Sequence, residues 1–148
     1  MQVDMKSVSA TVLLVEDDEK VCEFWQDALS EHGFRVDLAC GLEDLKNQLI
    51  KFSYDFVLLD KDLRTESFTD SISYILKESP RTKILVLTTE AQVDSAVEAL
   101  QAGATDYVAK DIEAQVLVEK LRSYFRKSRP IKRPGFSELG FKGKGKRI

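Results

Sequence analysis

Two aspartates follow a short apolar run near the middle of the chain. Asp60 comes directly after Phe56 to Leu59, and Asp62 lies two residues further on. A run of four apolar residues indicates a short strand that is buried on both faces, as in a parallel sheet. Open α/β sheets bind ligands at the carboxyl ends of their strands, so a carboxylate here can bind a metal ion or act as a nucleophile. The alternative is a solvated loop acid, and the other strand ends decide between the two.

Apolar β-rich runs and segments of helical periodicity alternate five times along the chain. The predicted strands span 11–15, 34–39, 54–59, 84–87 and 105–109. The last predicted helix spans 112–125, and its inward residues are predicted to be Val116, Leu117, Leu121 and Tyr124. This alternation predicts an α/β fold: one doubly wound, mostly parallel five-stranded sheet with right-handed crossovers and five helices.

Polar side chains follow four of these strands. They are Glu16 and Asp17 after the first strand, Asp60 after the third, Thr88 after the fourth and Lys110 after the fifth. Because the carboxyl ends of parallel strands meet at one edge, we expect these residues to be neighbours. Three converging carboxylates repel one another unless a cation lies between them. Oxygen ligands with positions open to water suit Mg²⁺ better than a soft metal.

The lysine and the threonine add groups that recognise phosphate. Lys110 would partly neutralise the acids and pair with an incoming phosphate oxygen, and the Thr88 hydroxyl could donate to another. The set therefore predicts a site that receives a phosphoryl group on a carboxylate, with Mg²⁺ beside the nucleophile.

At these positions the sequence resembles the receiver domain of two-component response regulators. The resemblance rests on four motifs in family order and at family spacing: Leu13-Leu14-Val15-Glu16-Asp17, Val57-Leu58-Leu59-Asp60, Leu85-Val86-Leu87-Thr88 and Gly103-Ala104-Thr105-Asp106-Tyr107-Val108-Ala109-Lys110. It covers residues 11–128 and implies the flavodoxin-like receiver fold with strand order 2-1-3-4-5. Residues 1–10 then form an N-terminal extension and residues 129–148 a basic linker or tail.

The resemblance implies a role for each acid. Asp60 would accept the phosphoryl group and also bind Mg²⁺. Counting back from Gly33 and Phe34 makes Glu16 and Asp17 the metal-binding pair. Asp62 would bind the metal through its backbone carbonyl. The third acid of the run, Asp18, is predicted to begin the first helix, where a carboxylate suits the N-terminus.

The resemblance also implies a switch. Thr88 and Lys110 would hold the phosphoryl oxygens, and Tyr107 would turn inward as the Thr88 hydroxyl moves toward the phosphate. The plainer interpretation of Tyr107 is an edge-strand aromatic that packs on a neighbouring helix. The readout would be the surface of helix 4, strand 5 and helix 5, controlling an output such as transcription. Such a receiver phosphorylates itself and can dephosphorylate itself, but it is not a turnover enzyme.

The sequence departs from the family pattern at two places. The loop from Leu63 to Phe68 lacks the usual proline and glycine, and Asp111 replaces the proline that usually follows Lys110. The second change is expected to shift Lys110 and weaken its hold on the phosphate. Asp62 and Glu90 occupy the flanking positions that influence hydrolysis, and their effect on the phosphate's lifetime stays open.

Two other functions fit parts of the pattern. Asp60-Lys61-Asp62 resembles the nucleophile motif of haloacid-dehalogenase-type phosphotransferases, with Thr65 nearby, but that family places its further acids late in the chain. A receiver-like interaction domain that works without phosphate is the second alternative. The missing loop proline and the Lys110-Asp111 step favour it, whereas the complete acid set with Thr88 and Lys110 opposes it.

The bulk composition is that of a soluble globular domain. The 148 residues suffice for one domain with a real core, and neither a transmembrane stretch nor a secretory signal is visible. Cys22 and Cys40 lack metal-ligand spacing and are expected to be reduced, partly buried thiols of a cytoplasmic protein. The charge is uneven: residues 1–126 carry 24 acidic and 14 basic side chains, whereas residues 127–148 carry 8 basic and 1 acidic.

These features lead to a set of expected partners. A histidine kinase or phosphotransfer protein would supply the phosphoryl group. Residues 129–148 could be a solvated basic end, an arm that contacts nucleic acid, or a linker to an output domain beyond Ile148. Helix 4, strand 5 and helix 5 form the family's usual dimer face, although the sequence does not require a dimer. Direct nucleic-acid binding by this segment is not expected, because the basic tail has Phe136 and Phe141 as its only aromatics.

Overall fold

Strands and helices alternate strictly in a computed structural model of the protein, which describes residues 10–63 and 67–128. The strands are β1 (Thr11–Val15), β2 (Arg35–Ala39), β3 (Phe56–Asp60), β4 (Lys83–Thr88) and β5 (Asp106–Ala109). The helices are α1 (Glu19–Glu31), α2 (Leu42–Lys51), α3 (Phe68–Glu78), α4 (Val93–Ala102) and α5 (Ala114–Ser128). The predicted tail, almost all of the N-terminal extension and the middle of the loop after β3 lie outside the described residues.

All five strands are parallel and form one sheet in the order β2-β1-β3-β4-β5. The predicted fold class and strand order are therefore confirmed. The register keeps the carboxyl ends of the strands level: Val15 lies opposite both Ala39 and Leu59, and Thr88 lies opposite Ala109. The residues that end or follow these strands consequently share one edge of the sheet.

Two apolar layers bury the sheet on both faces. Strand residues alternate between the layers because successive side chains point to opposite faces. Leu14, Phe56 and Leu58 pack in the layer under α1 and α5, whereas Leu13 and Val57 pack in the layer under α2, α3 and α4. In β3 all five residues are buried, including the terminal Asp60, so the apolar run predicted from the sequence is the centre of the core.

Some expectations about individual residues need correction. Val116 is 39% exposed, because the buried stripe of α5 runs through Leu117, Val118, Leu121 and Phe125. A residue one position before that stripe is rotated by 100° about the helix axis, away from the sheet. Cys40 is exposed rather than partly buried, whereas Cys22 is partly buried as expected. Among the described residues, no helix is long and apolar enough to cross a membrane.

The caps of α1 and α4 fix the chain on either side of the site. Asp18 caps the start of α1, where its carboxylate accepts hydrogen bonds from the backbone N–H groups of Lys20 and Val21. This confirms that the third acid of the run begins the helix rather than joining the site. At the end of α4, Gly103 adopts φ 117°, a left-handed conformation that favours glycine. The chain can therefore turn sharply into β5, which carries Tyr107 and leads to Lys110.

Shortening a buried side chain of the central strand is expected to destabilise this framework. Leu58→Ala removes a fully buried side chain from β3 and should lower the free energy of unfolding by about 2–5 kcal/mol, since a cavity remains between the sheet and α5. Urea denaturation measures this loss. The control is Ile50→Ala on α2, where the side chain is 77% exposed and the change should stay within about 0.5 kcal/mol. Equal losses in both variants would contradict the placement of β3.

Candidate functional site

Three carboxylates meet at the carboxyl edge of the sheet. Glu16, Asp17 and Asp60 each offer an oxygen atom, and these atoms lie within 4.8 Å of one another. Glu16 and Asp60 are both 2% exposed, whereas Asp17 faces solvent. We call these three residues the acidic cluster. It contains the three carboxylates that the sequence predicted to converge.

The backbone holds the two buried acids in place. Glu16 follows β1, and its N–H donates to the carbonyl of Ala39 at 2.9 Å, which continues the β1–β2 pairing. Its carboxylate accepts a hydrogen bond from the N–H of Asp18 at 3.1 Å. Asp60 is the last residue of β3, and its Oδ1 accepts from the N–H of Asp62 at 2.9 Å. Both carboxylates are therefore oriented by peptide groups that the strand ends fix.

Lys110 bridges the two buried acids. Its Nζ lies 2.9 Å from Asp60 Oδ1 and 3.1 Å from Glu16 Oε1. Its own N–H donates to the carbonyl of Thr88 at 2.7 Å, which extends the β4–β5 pairing by one residue. Having Asp111 rather than proline as the next residue does not prevent Lys110 from reaching the cluster. The expected shift of this lysine away from the site is therefore absent.

Burial and charge shift the pKa values of the bridged groups. Burial raises the pKa of Glu16, the contact with Lys110 lowers it, and the neighbouring Asp60 carboxylate raises it; the net direction is upward. Burial alone would lower the pKa of Lys110, but its contacts with Asp60 and Glu16 outweigh burial and raise it. The lysine therefore stays charged, while burial and the neighbouring Asp60 carboxylate disfavour the ionised form of Glu16.

The acidic cluster fits a hard divalent cation. One ammonium group faces three carboxylates, and Glu16 Oε1 is buried without a well-aligned hydrogen bond although Lys110 lies near it. All three ligands are oxygen atoms, as Mg²⁺ prefers. The adjacent Cys22 donates its thiol to the Glu16 carbonyl, and burial with the nearby acids raises its pKa to about 11. This thiol stays protonated near neutral pH, so the cluster presents oxygen ligands to a cation.

An open cavity of about 540 Å³ leads to the cluster from the side of α1 and α2. Its wall includes Glu16, Asp17, Cys22 and Cys40, together with Asp44 from the first turn of α2. Asp44 accepts hydrogen bonds from both the N–H and the thiol of Cys40, which fixes the turn before α2. The exposed side of the cluster is thus open to water and to a small ligand.

The predicted switch residues meet in the loop after β4. The Thr88 hydroxyl donates to the carbonyl of Glu90 at 3.2 Å and accepts from the N–H of Glu90 at 3.1 Å. The hydroxyl of Tyr107 donates to the same Glu90 carbonyl at 3.4 Å. Thr88 is buried and Tyr107 is partly exposed. One carbonyl therefore receives both hydroxyl groups of the predicted switch.

The side chain of Asp62 lies apart from the acidic cluster. Its carboxylate accepts from the N–H and the hydroxyl of Thr89, at 3.4 and 3.3 Å, and Lys61 Nζ lies 4.0 Å away. This contact ties the loop after β3 to the loop after β4. Thr89 was not predicted from the sequence. Its only signal was its place directly after Thr88, and the pairing with Asp62 depends on how the two loops bend.

The fold and the site together define a class of protein. The fold is an open, doubly wound α/β sheet, and a buried carboxylate, a lysine and a hydroxyl group share its carboxyl edge. The sequence matches the model of the response regulator receiver domain over residues 12–122. The chain belongs to the response regulator receiver domain family. The haloacid-dehalogenase interpretation of the Asp60-Lys61-Asp62 motif is therefore set aside.

Individual relatives of the chain are also response regulators or transcriptional regulatory proteins. The chain is 33% identical over 121 residues to the transcriptional regulatory protein DltR of Streptococcus agalactiae, covering 82% of this chain and 54% of DltR. It is 34% identical over 110 residues to the transcriptional regulatory protein ZraR of Salmonella typhimurium, covering 74% of this chain and 25% of ZraR. The structure of a response regulator from Thermotoga maritima is similar with a TM-score of 0.75 at 27% identity, covering 80% of this chain and 98% of that one. The chain spans about half of DltR and a quarter of ZraR.

Neutralising Glu16 is expected to stabilise the metal-free protein. A carboxyl whose pKa is raised on folding binds its proton more tightly in the folded state, so stability falls as pH rises from the ordinary value of 4.5 through the raised pKa. Glu16→Gln removes this loss and should raise the free energy of unfolding at pH 7 by on the order of 1 kcal/mol. Urea denaturation in a chelating buffer at several pH values measures the effect.

The matched control is Glu98→Gln, which removes an exposed carboxylate from α4 and should change stability little at any of these pH values. A Glu16→Gln protein that is less stable than the unchanged chain at pH 7 would show that the ion pair with Lys110 outweighs the cost of burial.

Proposed function

We propose that this receiver domain accepts a phosphoryl group on Asp60. The observation that carries the proposal is the contact between Lys110 and Asp60 Oδ1 beside the acidic cluster. Both the lysine and the N–H of Asp62 approach Oδ1, which leaves Oδ2 as the attacking oxygen. A bond forms between Oδ2 and phosphorus as the bond from phosphorus to the donor breaks, and the donor departs with that electron pair. Lys110 then pairs with a phosphoryl oxygen.

The acidic cluster would hold Mg²⁺ during this reaction. Glu16, Asp17 and Asp60 supply carboxylate oxygens, and the backbone carbonyl of Asp62 is the further ligand that the family pattern implies. When bound, the ion neutralises the charge that develops on the transferred phosphoryl group. The residues of the chain have separate roles. The acids would hold the cation, and the strand ends would keep the Asp60 carboxylate oriented toward the phosphoryl donor.

The phosphorylated carboxylate would change the surface beyond β4. New phosphate oxygens attract the hydroxyl of Thr88, which at present donates to the carbonyl of Glu90. Losing that bond leaves Tyr107 as the remaining hydroxyl donor to this carbonyl and favours a second arrangement of the loop and the tyrosine. The readout is a changed face on α4, β5 and α5, which is also the proposed face for a homodimer.

The physiological context follows from the named relatives. Both DltR and ZraR are transcriptional regulatory proteins of which this chain matches a part. We infer a cytoplasmic protein whose receiver domain spans residues 11–128, takes phosphate from a histidine kinase or phosphotransfer protein, and controls transcription through an output domain beyond Ile148. Residues 129–148 would link the two.

Replacing Asp60 should abolish phosphorylation. The chain is incubated with Mg²⁺ and acetyl phosphate, and covalent phosphate is measured by intact-protein mass spectrometry. We expect a mass increase of one phosphoryl group in the unchanged protein and none in Asp60→Ala, because the substitution removes the carboxylate that we propose as the phosphoryl acceptor beside Lys110. Asp62→Ala is the matched control and should still be phosphorylated, because its carboxylate lies outside the acidic cluster.

The same experiment separates the alternatives. Phosphate on Asp60→Ala would exclude Asp60 as the acceptor. An unchanged protein that takes up no phosphate from either acetyl phosphate or a phosphorylated histidine donor would favour the phosphate-independent interaction domain.

Magnesium should stabilise the unchanged chain through the acidic cluster. A ligand that binds only the folded state raises the free energy of unfolding. Once the ligand concentration exceeds the dissociation constant, the rise grows with the logarithm of that concentration. Asp17→Asn removes an exposed ligand without disturbing the core, so the rise should begin at a higher Mg²⁺ concentration. Urea denaturation across a Mg²⁺ series measures the shift, with Glu98→Gln as the control. Identical curves for Asp17→Asn and the unchanged chain would remove Asp17 from the site.

A further inference from the structure

Four acidic residues follow one another at every fourth position along α1. Glu19, Glu23, Asp27 and Glu31 are all exposed, and we call them the α1 acidic stripe. The ion pairs among the described side chains include none of them. The opposite side of the helix is buried through Trp25 and Leu29. The stripe therefore faces away from the sheet over three turns.

The α1 acidic stripe is unfavourable for an isolated helix. Like charges four positions apart repel each other, and the stripe contains three such pairs. Glu31 also lies in the last turn, where the helix dipole favours a cation, and α1 has no basic residue in that turn. Cationic groups placed along the stripe would relieve both effects. A basic polypeptide segment is thus the chemistry that this face would bind.

The chain itself carries such a segment. Residues 129–148 contain seven basic side chains and one acidic side chain. They follow α5, which ends at Ser128. Near this end, Arg122 Nη2 donates at 3.2 Å to the carbonyl of His32, the residue that caps α1. Arg122, seven residues before the segment begins, is therefore in contact with the end of α1 that carries Glu31.

Length and side-chain chemistry are also compatible with docking. Twelve residues separate Glu19 from Glu31, so the stripe is about 18 Å long, whereas a 20-residue segment can extend over about 66 Å. Phe24 lies beside the stripe and is 55% exposed. Its ring offers an apolar contact for Ile131 or Phe136 of the segment. We propose that residues 129–148 dock along the α1 acidic stripe of their own chain.

Paramagnetic relaxation in the full 148-residue chain tests this proposal. A nitroxide is attached to Ser137→Cys in a protein whose Cys22 and Cys40 are replaced by serine. We expect amide signals of α1 to lose several-fold more intensity than those of α4. In about 1 M salt, where charges are screened beyond about 3 Å, the difference should largely disappear.

Charge reversal gives a matched comparison. Glu23→Lys with Asp27→Lys reverses the middle of the stripe and should abolish the selective loss of α1 signals. Asp94→Lys with Glu98→Lys makes the same charge change at the same spacing on exposed positions of α4, and should leave the α1 effect intact. Amide chemical shifts of the core strands verify that each variant is folded.

Three outcomes would overturn the proposal. They are equal losses on α1 and α4, an α1 effect that survives the reversal of Glu23 and Asp27, and an effect that arises between molecules. The last is measured by mixing isotope-labelled protein without nitroxide and unlabelled protein with nitroxide, which should leave the α1 signals unchanged. The docking does not depend on phosphorylation of Asp60, so it is tested separately from the proposed function.

Discussion

Repulsion among the three carboxylates of the acidic cluster is the constraint on which the site depends. Glu16 and Asp60 are buried beside each other, and the ammonium of Lys110 compensates them only in part. Such an arrangement costs stability, and it persists because the strand ends fix the backbone on every side. The apolar strands β1, β3 and β4 therefore do more than form a core. They hold acids at a separation that the acids alone would not adopt, in an oxygen-lined cluster that fits a hard divalent cation.

The sequence predicted the fold well because its pattern is locally consistent. Runs such as Phe56 to Leu59 are long enough for a strand and too short for a helix, and each ends where the polar edge begins. Given parallel strands, the meeting of Glu16, Asp60 and Lys110 follows from topology alone. Helix faces were harder to predict, since the apolar Val116 lies one position outside the buried stripe of α5. Moving by one residue along a helix changes whether a side chain is buried. Tertiary packing, rather than the local sequence, determines which of two adjacent apolar residues faces the core.

Loop contacts were beyond prediction from the sequence. The hydrogen bonds between Asp62 and Thr89 depend on how two loops bend toward each other, and no periodicity encodes that bend. The reach of Lys110 was underestimated for a related reason. Asp111 in place of the family proline predicts a shifted Lys110, whereas the pairing of the Lys110 N–H with the Thr88 carbonyl suffices to fix the backbone there. The strand register thus controls the lysine more strongly than the residue that follows it.

A single hydroxyl hydrogen explains how a change at Asp60 could alter the face formed by α4, β5 and α5. The Thr88 hydroxyl has one hydrogen to donate, and it now donates to the Glu90 carbonyl, which Tyr107 also contacts. It cannot donate to a phosphate on Asp60 at the same time. Phosphate and carbonyl therefore compete for one donor, and the stronger, charged acceptor is expected to win. Because Tyr107 contacts the carbonyl that loses this donor, the competition couples the chemistry at β3 to the position of an aromatic ring on β5.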